Sequence, residues 1–247
     1  MSRYFLELTY NGTRYNGYQI QPNAPSIQEA IQRALAVLLR QEHVELTGCG
    51  RTDAGVHALQ YFAHFDFEGL LPHNLVYSLN GILKKDIVIH RCIPVQDRAH
   101  ARFDAISRSY VYHIDLRPNP FRQETAYYCP FAQNLDKELI QAAAALLLEY
   151  KEFDTFCLAN TDTPTRRCDL RRSEWQFETW QWQYHVSSDR FLRGMIRLIV
   201  GMCLNAGRGK IKLEDLRTAL DNQLSLEQAW SAPASGLFLT DIKYPYI

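Results

Sequence analysis

The order of predicted strands and helices constrains this fold more than any other feature of the sequence. In the first half, apolar periodicity gives strand, helix, strand, strand, helix, strand at residues 4–10, 27–39, 44–49, 59–67, 74–83 and 87–95. The second half gives a similar order with one extra helix, at residues 109–116, 135–150, 174–177, 181–186, 191–204, 213–221 and 237–244. This order predicts an α+β fold of two ferredoxin-like, RRM-like halves with a largely antiparallel sheet and flanking helices.

The first predicted helix carries the clearest local signals. Ser26 stands at the N-cap position, and Glu29 three residues later completes a capping-box pattern. One face of this helix is apolar and consists of Ile27, Ile31, Ala34, Leu35, Leu38 and Leu39. The sequence therefore predicts an amphipathic helix with a buried face.

Length and composition allow two fused halves in one chain. The 247 residues are 47% hydrophobic and 22% charged, a balance that can bury a sizeable core. We divide the chain into an N-terminal half, residues 1–104, with a Gly-rich loop around Asp53, and a C-terminal half, residues 105–247, with a basic helix and basic loops.

Charge narrows the class of protein. Lys plus Arg and Asp plus Glu both total 27, so the chain has no overall positive field of the kind that marks many nucleic-acid binders. Basic residues are instead clustered, in residues 190–212 and among the arginines of residues 166–172. No apolar run is long enough for a membrane span and the start lacks an apolar signal core, which predicts a soluble, cytoplasmic protein with no membrane partner.

Cysteine and histidine spacing gives no metal site. Six widely spaced cysteines form no C-x-x-C pattern, so neither a zinc site nor a redox pair is predicted, and the thiols are expected to be reduced. The eight histidines form no ligand cluster in the sequence. His57 and His64 are predicted to be local hydrogen-bond partners.

The first candidate site is the loop of residues 48–57, Gly-Cys-Gly-Arg-Thr-Asp-Ala-Gly-Val-His. Glycines permit a sharp path that directs short polar side chains outward. The loop lacks the patterns of a phosphate loop and of a dinucleotide fold. Arg51 close to Asp53 would keep the carboxylate ionised, as a nucleophile or general base requires, but the spacing alone fits a structural ion pair better.

Two further candidates lie in the C-terminal half. Tyr110 and Tyr112 share one face of a predicted strand beside arginines, a platform that suits a flipped base. Strand tyrosines are also common core residues, so both interpretations stay open. Arg193 and Arg197 lie one turn apart on a largely apolar helix, where arginines usually extend from the edge of a core.

Taken in chain order, several short motifs resemble those of the tRNA pseudouridine synthase A family over nearly the whole chain. The family's signature Gly-Arg-Thr-Asp-Ala-Gly-Val-His is intact at residues 50–57. The other matching stretches are residues 10–13, 17–19, 101–103, 108–112, 191–192, 195–197, 199–201 and 232–239. Because independent motifs occur in the right order, the chain is identified as a member of this family.

The resemblance implies the roles of the site residues. Asp53 corresponds to the family's catalytic aspartate, and Arg51 to its ion-pair partner. Tyr110 matches the tyrosine that packs on the target base, and Arg197 matches a basic residue that reaches the same site. The family's fold, the pseudouridine synthase fold, has two related α+β halves. The resemblance also implies a homodimer that holds one tRNA with both subunits.

The resemblance also implies the reaction. The N1–C1′ bond of a uridine in the tRNA anticodon stem and loop, at positions 38 to 40, is broken, and the ring is rejoined through C5. This isomerisation needs no cofactor and no metal. Tyr18 and Ile20 stand where members commonly have Trp and Arg, and the missing arginine bears on RNA affinity or target position rather than on the chemistry.

Two other functions compete with an isomerase. A non-catalytic RNA-binding protein of two ferredoxin-like halves would also explain the aromatic strand and clustered arginines, although an RNP1-like string is absent. A nucleoside hydrolase using Asp53 on the glycosidic bond would release free base, whereas an isomerase releases none.

Overall fold

A computed structural model describes residues 1–157 and 165–247, and within these residues it contains nine β-strands and five α-helices. The strands are β1 Ser2–Tyr10, β2 Thr47–Gly48, β3 His57–Phe67, β4 Ile87–Val95, β5 Ser107–Asp115, β6 Tyr127–Tyr128, β7 Leu170–Phe177, β8 Gln181–Ser188 and β9 Leu237–Lys243. The helices are α1 Ile27–Leu39, α2 Leu75–Ile82, α3 Lys137–Leu146, α4 Met195–Gly207 and α5 Leu213–Asp221. Most strand pairs are antiparallel, which confirms the predicted fold class.

The chain forms two compact units. The first unit is Met1–Ile106 together with Phe238–Ile247, and the second is Ser107–Leu237. The C-terminal segment, which the sequence division gave to the second half, belongs to the first unit, in which β9 pairs in parallel with β3. Periodicity indicates that a strand forms, but it does not say which strand becomes its partner.

In the first unit, the strands lie in the order β4, β1, β3, β9, with β2 also paired to β3. An alternating apolar pattern predicts one buried face for β3. Instead five consecutive side chains, Tyr61 to Phe65, are buried, because both faces of this central strand are covered. Leu59, near the start of the strand, is exposed.

Helix α1 begins as predicted. The Ser26 hydroxyl oxygen accepts a hydrogen bond from the Glu29 backbone N–H at 3.2 Å, so the N-cap is confirmed. The Glu29 carboxylate does not complete the capping box but pairs with Arg33 at 2.5 Å, one turn further along. The apolar face of the helix is buried except for the partly exposed Leu38.

In the second unit, β5, β8 and β7 lie side by side, and β6 pairs in parallel with β5. Helix α3 packs against α4 and β7. Helix α4 begins at Met195 rather than at 191, because Gly194 adopts a left-handed conformation with φ of 72° just before it. Helix α5 has the predicted bounds.

All six cysteines are free thiols, four of them buried, which confirms the prediction of reduced cysteines. Burial raises the pKa of Cys129 to about 11 and that of Cys203 to about 12, so these thiols stay protonated at neutral pH. Among the described helices, none is both long and apolar enough to cross a membrane.

Candidate active site

The loop between β2 and β3 carries Arg51 and Asp53. It ends in a turn in which the Val56 N–H donates to the Asp53 carbonyl oxygen at 3.1 Å. Gly55 supplies the positive φ of 78° that such a turn needs. The turn presents a half-buried Asp53 side chain shortly before β3 begins.

Two glycines of an earlier segment let the backbone lie directly against this loop. A Cβ on Gly12 would lie 1.9 Å from the Val56 carbonyl oxygen, and one on Gly17 would lie 2.3 Å from the Thr52 carbonyl oxygen. Gly17 also has a φ of 90°, which a side chain disfavours. Both glycines belong to sequence stretches that match the family motifs, and packing against the loop explains why no side chain fits there.

Hydrogen bonds fasten the loop on both sides of Asp53. Before it, the Thr52 carbonyl oxygen accepts from the Tyr18 N–H at 3.3 Å, and the hydroxyls of Thr52 and Tyr10 share a hydrogen bond of 2.8 Å. After it, the Gly55 N–H donates to the Tyr15 carbonyl oxygen at 3.3 Å. The backbone on both sides of the carboxylate is therefore fixed by hydrogen bonds.

Tyr18 and Tyr61 form an aromatic support for the loop. Their rings stack at 4.3 Å, and the Tyr61 hydroxyl donates to the Gly50 carbonyl oxygen at 2.5 Å. Burial raises the pKa of both phenols well above the usual value, so they remain neutral. Tyr18 is 2% exposed and therefore supports the loop, whereas Ile20, the other departure from the family, is 44% exposed.

Both singled-out histidines accept local backbone hydrogen bonds, as predicted. The Gly12 N–H donates to Nδ1 of His57, and the Ala101 N–H donates to Nδ1 of His64, each at 3.2 Å. Burial, with the nearby charge of Arg3, lowers the pKa of His64 to about 4, so its ring is neutral at pH 7. No three or more His, Cys, Asp or Glu residues of the described chain are grouped to hold a metal ion.

Arg51 is exposed, and no ion pair links it to Asp53 or to any other described residue. Because the Arg51 side chain is exposed, water solvates its charge well, and pairing it with the half-buried Asp53 would gain little free energy. The ion pair with Asp53 that the resemblance implies is therefore not formed in this structure.

In the second unit, the two strand tyrosines differ in environment. Tyr110 lies on β5 opposite Val186, is half-buried, and meets the Phe191 ring edge-on at 5.3 Å and 85°. Tyr112 is fully buried, its hydroxyl donates to the Pro233 carbonyl oxygen at 2.8 Å, and burial raises its pKa far above the usual value. Tyr112 is thus a core residue, while Tyr110 keeps part of its ring exposed.

Arg197 lies in the first turn of α4 and is held by one backbone segment. Its Nε donates to the Ala232 carbonyl oxygen at 2.6 Å, and the Ala232 N–H donates to the Arg197 carbonyl oxygen at 3.0 Å. A Cβ on Gly201 would lie 2.0 Å from the Trp230 carbonyl oxygen, so this segment packs directly on the helix. Arg193, predicted to lie one turn earlier on the same helix, instead lies outside α4, before the left-handed Gly194, and is exposed.

Comparison with known proteins decides the family. The chain is 45% identical to tRNA pseudouridine synthase A of Azobacteroides pseudotrichonymphae over 99% of its own length and 98% of that protein. It is 41% identical to tRNA pseudouridine synthase A of Parabacteroides distasonis over 99% and 97% of the two chains. The chain belongs to the tRNA pseudouridine synthase A family.

Two other similarities agree with this assignment. The family profile described as tRNA pseudouridine synthase matches residues 143–245. The chain is also 31% identical to tRNA pseudouridine synthase A of Bacillus subtilis over 96% of this chain and 97% of that protein. The resemblance inferred from short motifs is therefore confirmed.

For this member of the tRNA pseudouridine synthase A family, the predicted site residues fall into two pairs. Arg51 and Asp53 share one loop of the first unit, and Tyr110 and Arg197 lie on a strand and a helix of the second unit. Sequence reasoning missed the positioning role of Thr52, whose backbone and hydroxyl both hold the loop. The motifs that contain Gly12 and Gly17 pack directly against the loop that carries Thr52. The order of the motifs in the chain does not show this contact.

Proposed function

We propose that Asp53 is the catalytic carboxylate with which this chain isomerises uridine to pseudouridine. The chain is an isomerase that acts on tRNA uridine. The observation that carries the proposal is the fixed loop, in which backbone hydrogen bonds flank Asp53 through Thr52 and Gly55 while its side chain remains half-buried. A carboxylate on a preorganised backbone needs little rearrangement to meet a reacting atom.

The reaction breaks the N1–C1′ bond, forms a C5–C1′ bond, removes the proton from C5 and places a proton on N1. An ionised carboxylate has three routes to this outcome. It attacks C1′, assists deprotonation at the sugar, or adds to C6 of the ring. All three routes use the same side chain, Asp53, and all require the uridine to leave the base stack first.

The remaining site residues act on the flipped nucleotide. Half-buried Tyr110 packs its ring on the base and supplies a hydroxyl for proton transfer at C5. Arg197, which the resemblance matches to a basic residue reaching the same site, contacts the nucleotide with its guanidinium. Arg51 is the exposed cation of the loop and contacts the RNA next to the target.

The substrate uridines are those at positions 38 to 40 of the anticodon stem and loop, and the enzyme works as a cytoplasmic homodimer. The family resemblance supports both statements. Pseudouridine mapping of cellular tRNA with and without the protein tests the first, since signal lost outside the anticodon arm would contradict it. Light scattering on the purified protein tests the second through the mass of the particle.

Replacing Asp53 with Asn tests the catalytic proposal. The turn is closed through the Asp53 backbone carbonyl, which Asn retains, so we expect unchanged thermal unfolding and tRNA binding. Single-turnover tritium release from C5-labelled tRNA should fall by about 10³-fold or more. A structural Asp would instead give a loss of roughly 1–3 kcal/mol in stability, with activity falling only in proportion to folded protein.

Two outcomes contradict the proposal. A folded Asp53→Asn protein with normal tritium release would remove the aspartate from the chemistry. Release of free uracil by the unmodified enzyme would indicate a hydrolase, because the isomerase keeps the base attached to the sugar.

A further inference from the structure

The second unit contains a cavity that the proposed chemistry does not use. Its volume is about 300 Å³, at the small end of ligand sites, and it lies at the C-terminal end of α4. It is lined by Tyr127, Phe131, Asn205, Arg208, Lys210 and Trp230. We refer to it as the α4 cavity.

The rim of the α4 cavity carries two positive charges and no acidic residue. Arg208 and Lys210 are exposed, and neither forms an ion pair with any residue that the structure describes. The Arg208 guanidinium lies 3.9 Å from the centroid of the Phe131 ring, so a cation–π contact holds it in place. The rim thus offers a preorganised site for an anionic group.

The wall of the cavity contains buried polar atoms without partners in the described chain. Asn205 is 3% exposed, and its Nδ2 donates to the Gln228 carbonyl oxygen at 2.8 Å, which leaves Oδ1 without a hydrogen bond. Nε1 of Trp230 is also buried and unpaired. Both atoms are buried, so they belong to the packed wall behind the cavity, and a ligand meets the exposed cations and the aromatic rings instead.

A second cavity in the same unit shows that aromatic and cationic residues alone do not favour an anion. It has a volume of about 320 Å³, and Arg117 lies 5.1 Å from the Trp180 ring centroid beside it. Asp115 and Glu178 also line this cavity; Arg122 neutralises Asp115 at 3.0 Å, and the Glu178 carboxylate repels a phosphate. The α4 cavity differs because it has cations without carboxylates.

We propose that the α4 cavity binds one unstacked nucleotide of the substrate tRNA, at a subsite distinct from the Asp53 loop. Arg208 and Lys210 bind the phosphate, and the base lies against the aromatic wall formed with Trp230. The proposal rests on the proposed function, because it takes tRNA as the ligand.

The test compares two arginines that stack on aromatic rings in the two cavities. Binding of a tRNA transcript is measured at several salt concentrations for the unmodified enzyme, Arg208→Gln and Arg117→Gln. We expect Arg208→Gln to weaken binding roughly fivefold or more and to lower the salt slope by about 0.7 to 0.9. Arg117→Gln should change neither quantity.

A second measurement examines the cavity directly. Uridine 5′-monophosphate should quench tryptophan fluorescence of the unmodified enzyme, and Trp230→Phe should remove that quenching. Inorganic phosphate at the same concentration should compete weakly, because it contacts only the rim. Absence of quenching by the monophosphate would contradict a nucleotide site.

The outcomes separate this proposal from the proposed function. Equal tRNA binding by Arg208→Gln and Arg117→Gln overturns the subsite, even if Asp53→Asn is inactive. Quenching by the monophosphate with unchanged tRNA binding also overturns it, since the cavity would then serve a free nucleotide. An active Asp53→Asn protein would contradict the catalytic role while leaving the binding comparison intact.

Discussion

The loop that carries Asp53 and the strand that carries Tyr110 hold their side chains in different ways. The loop is irregular, and its position depends on two glycines, Gly12 and Gly17, whose missing side chains let backbone meet backbone. The strand is regular, and Tyr110 is positioned by ladder pairing and by the Phe191 ring. We therefore expect the position of Asp53 to be sensitive to atoms added at the glycines behind the loop. The function of Tyr110 should instead be sensitive to atoms removed from the tyrosine itself.

Among the variants that test how the loop and the strand are held, the largest effect is expected from adding one methyl group behind the loop. Gly17→Ala would place a Cβ 2.3 Å from the Thr52 carbonyl oxygen on a backbone with φ of 90°. We expect a stability loss of about 1–3 kcal/mol and a turnover loss of about 10²-fold or more, because the loop must move. Urea unfolding and single-turnover kinetics measure the two effects.

Gly50→Ala is the matched control within the same loop. A Cβ at Gly50 meets no atom within 4 Å, and its φ is not positive. This variant should retain stability and turnover. If Gly17→Ala behaved like Gly50→Ala, the position of the Asp53 loop would not depend on the close backbone approach at Gly17. The proposed difference between the loop and the strand would then be wrong for the loop.

An intermediate effect is expected from the two tyrosines of β5. Tyr110→Phe keeps the ring and should lower turnover, whereas Tyr110→Leu removes the ring as well and should lower it further, each with little change in stability. Tyr112→Phe leaves the Pro233 carbonyl oxygen without its donor and should cost about 1 kcal/mol in stability while turnover per folded molecule stays the same. Thermal unfolding curves measure the stability loss expected at Tyr112, and single-turnover rates measure the loss of activity expected at Tyr110.

The opposite pattern would reverse the assignment of the two tyrosines. Full activity of both Tyr110 variants would make Tyr110 a structural residue and leave proton transfer to another group. Loss of turnover in a stable Tyr112→Phe protein would give the buried hydroxyl a part in the chemistry.

The smallest effects are expected for surface arginines. Here the charged residue of the Asp53 loop is compared with two arginines of the second unit. Arg51 is exposed without an ion-pair partner in the described chain, whereas Arg171 pairs with Asp169 and Arg172 with Glu174. Arg51→Gln should lower the single-turnover rate roughly tenfold, about 1.4 kcal/mol, with little change in salt slope. Replacing both Arg171 and Arg172 should lower the salt slope by less than about 0.9 per residue, because carboxylates already neutralise them.

Binding and single-turnover measurements over a salt series decide this comparison. A full unit of slope lost per arginine at Arg171 and Arg172 would mean that tRNA displaces their carboxylate partners. An Arg51→Gln protein with an unchanged rate but a reduced slope would make Arg51 an ordinary phosphate contact.

The sequence by itself determined the local structure and the identity of the family. Periodicity located most strands and helices, and it placed β4 and α5 at their observed bounds. The signature loop identified Asp53 as the candidate carboxylate before any coordinates were considered. These features could be predicted because strand and helix repeats, caps and short motifs are encoded by neighbouring residues.

Only the tertiary structure decided which residues meet. It separated Tyr112, a core residue, from the partly exposed Tyr110, although both have the same place in the strand pattern. It placed Tyr18, one of the two departures from the family, in a buried stack with Tyr61, and it joined Phe238–Ile247 to the first unit. Burial and pairing depend on residues far apart in the chain, and local periodicity carries no information about those distant partners.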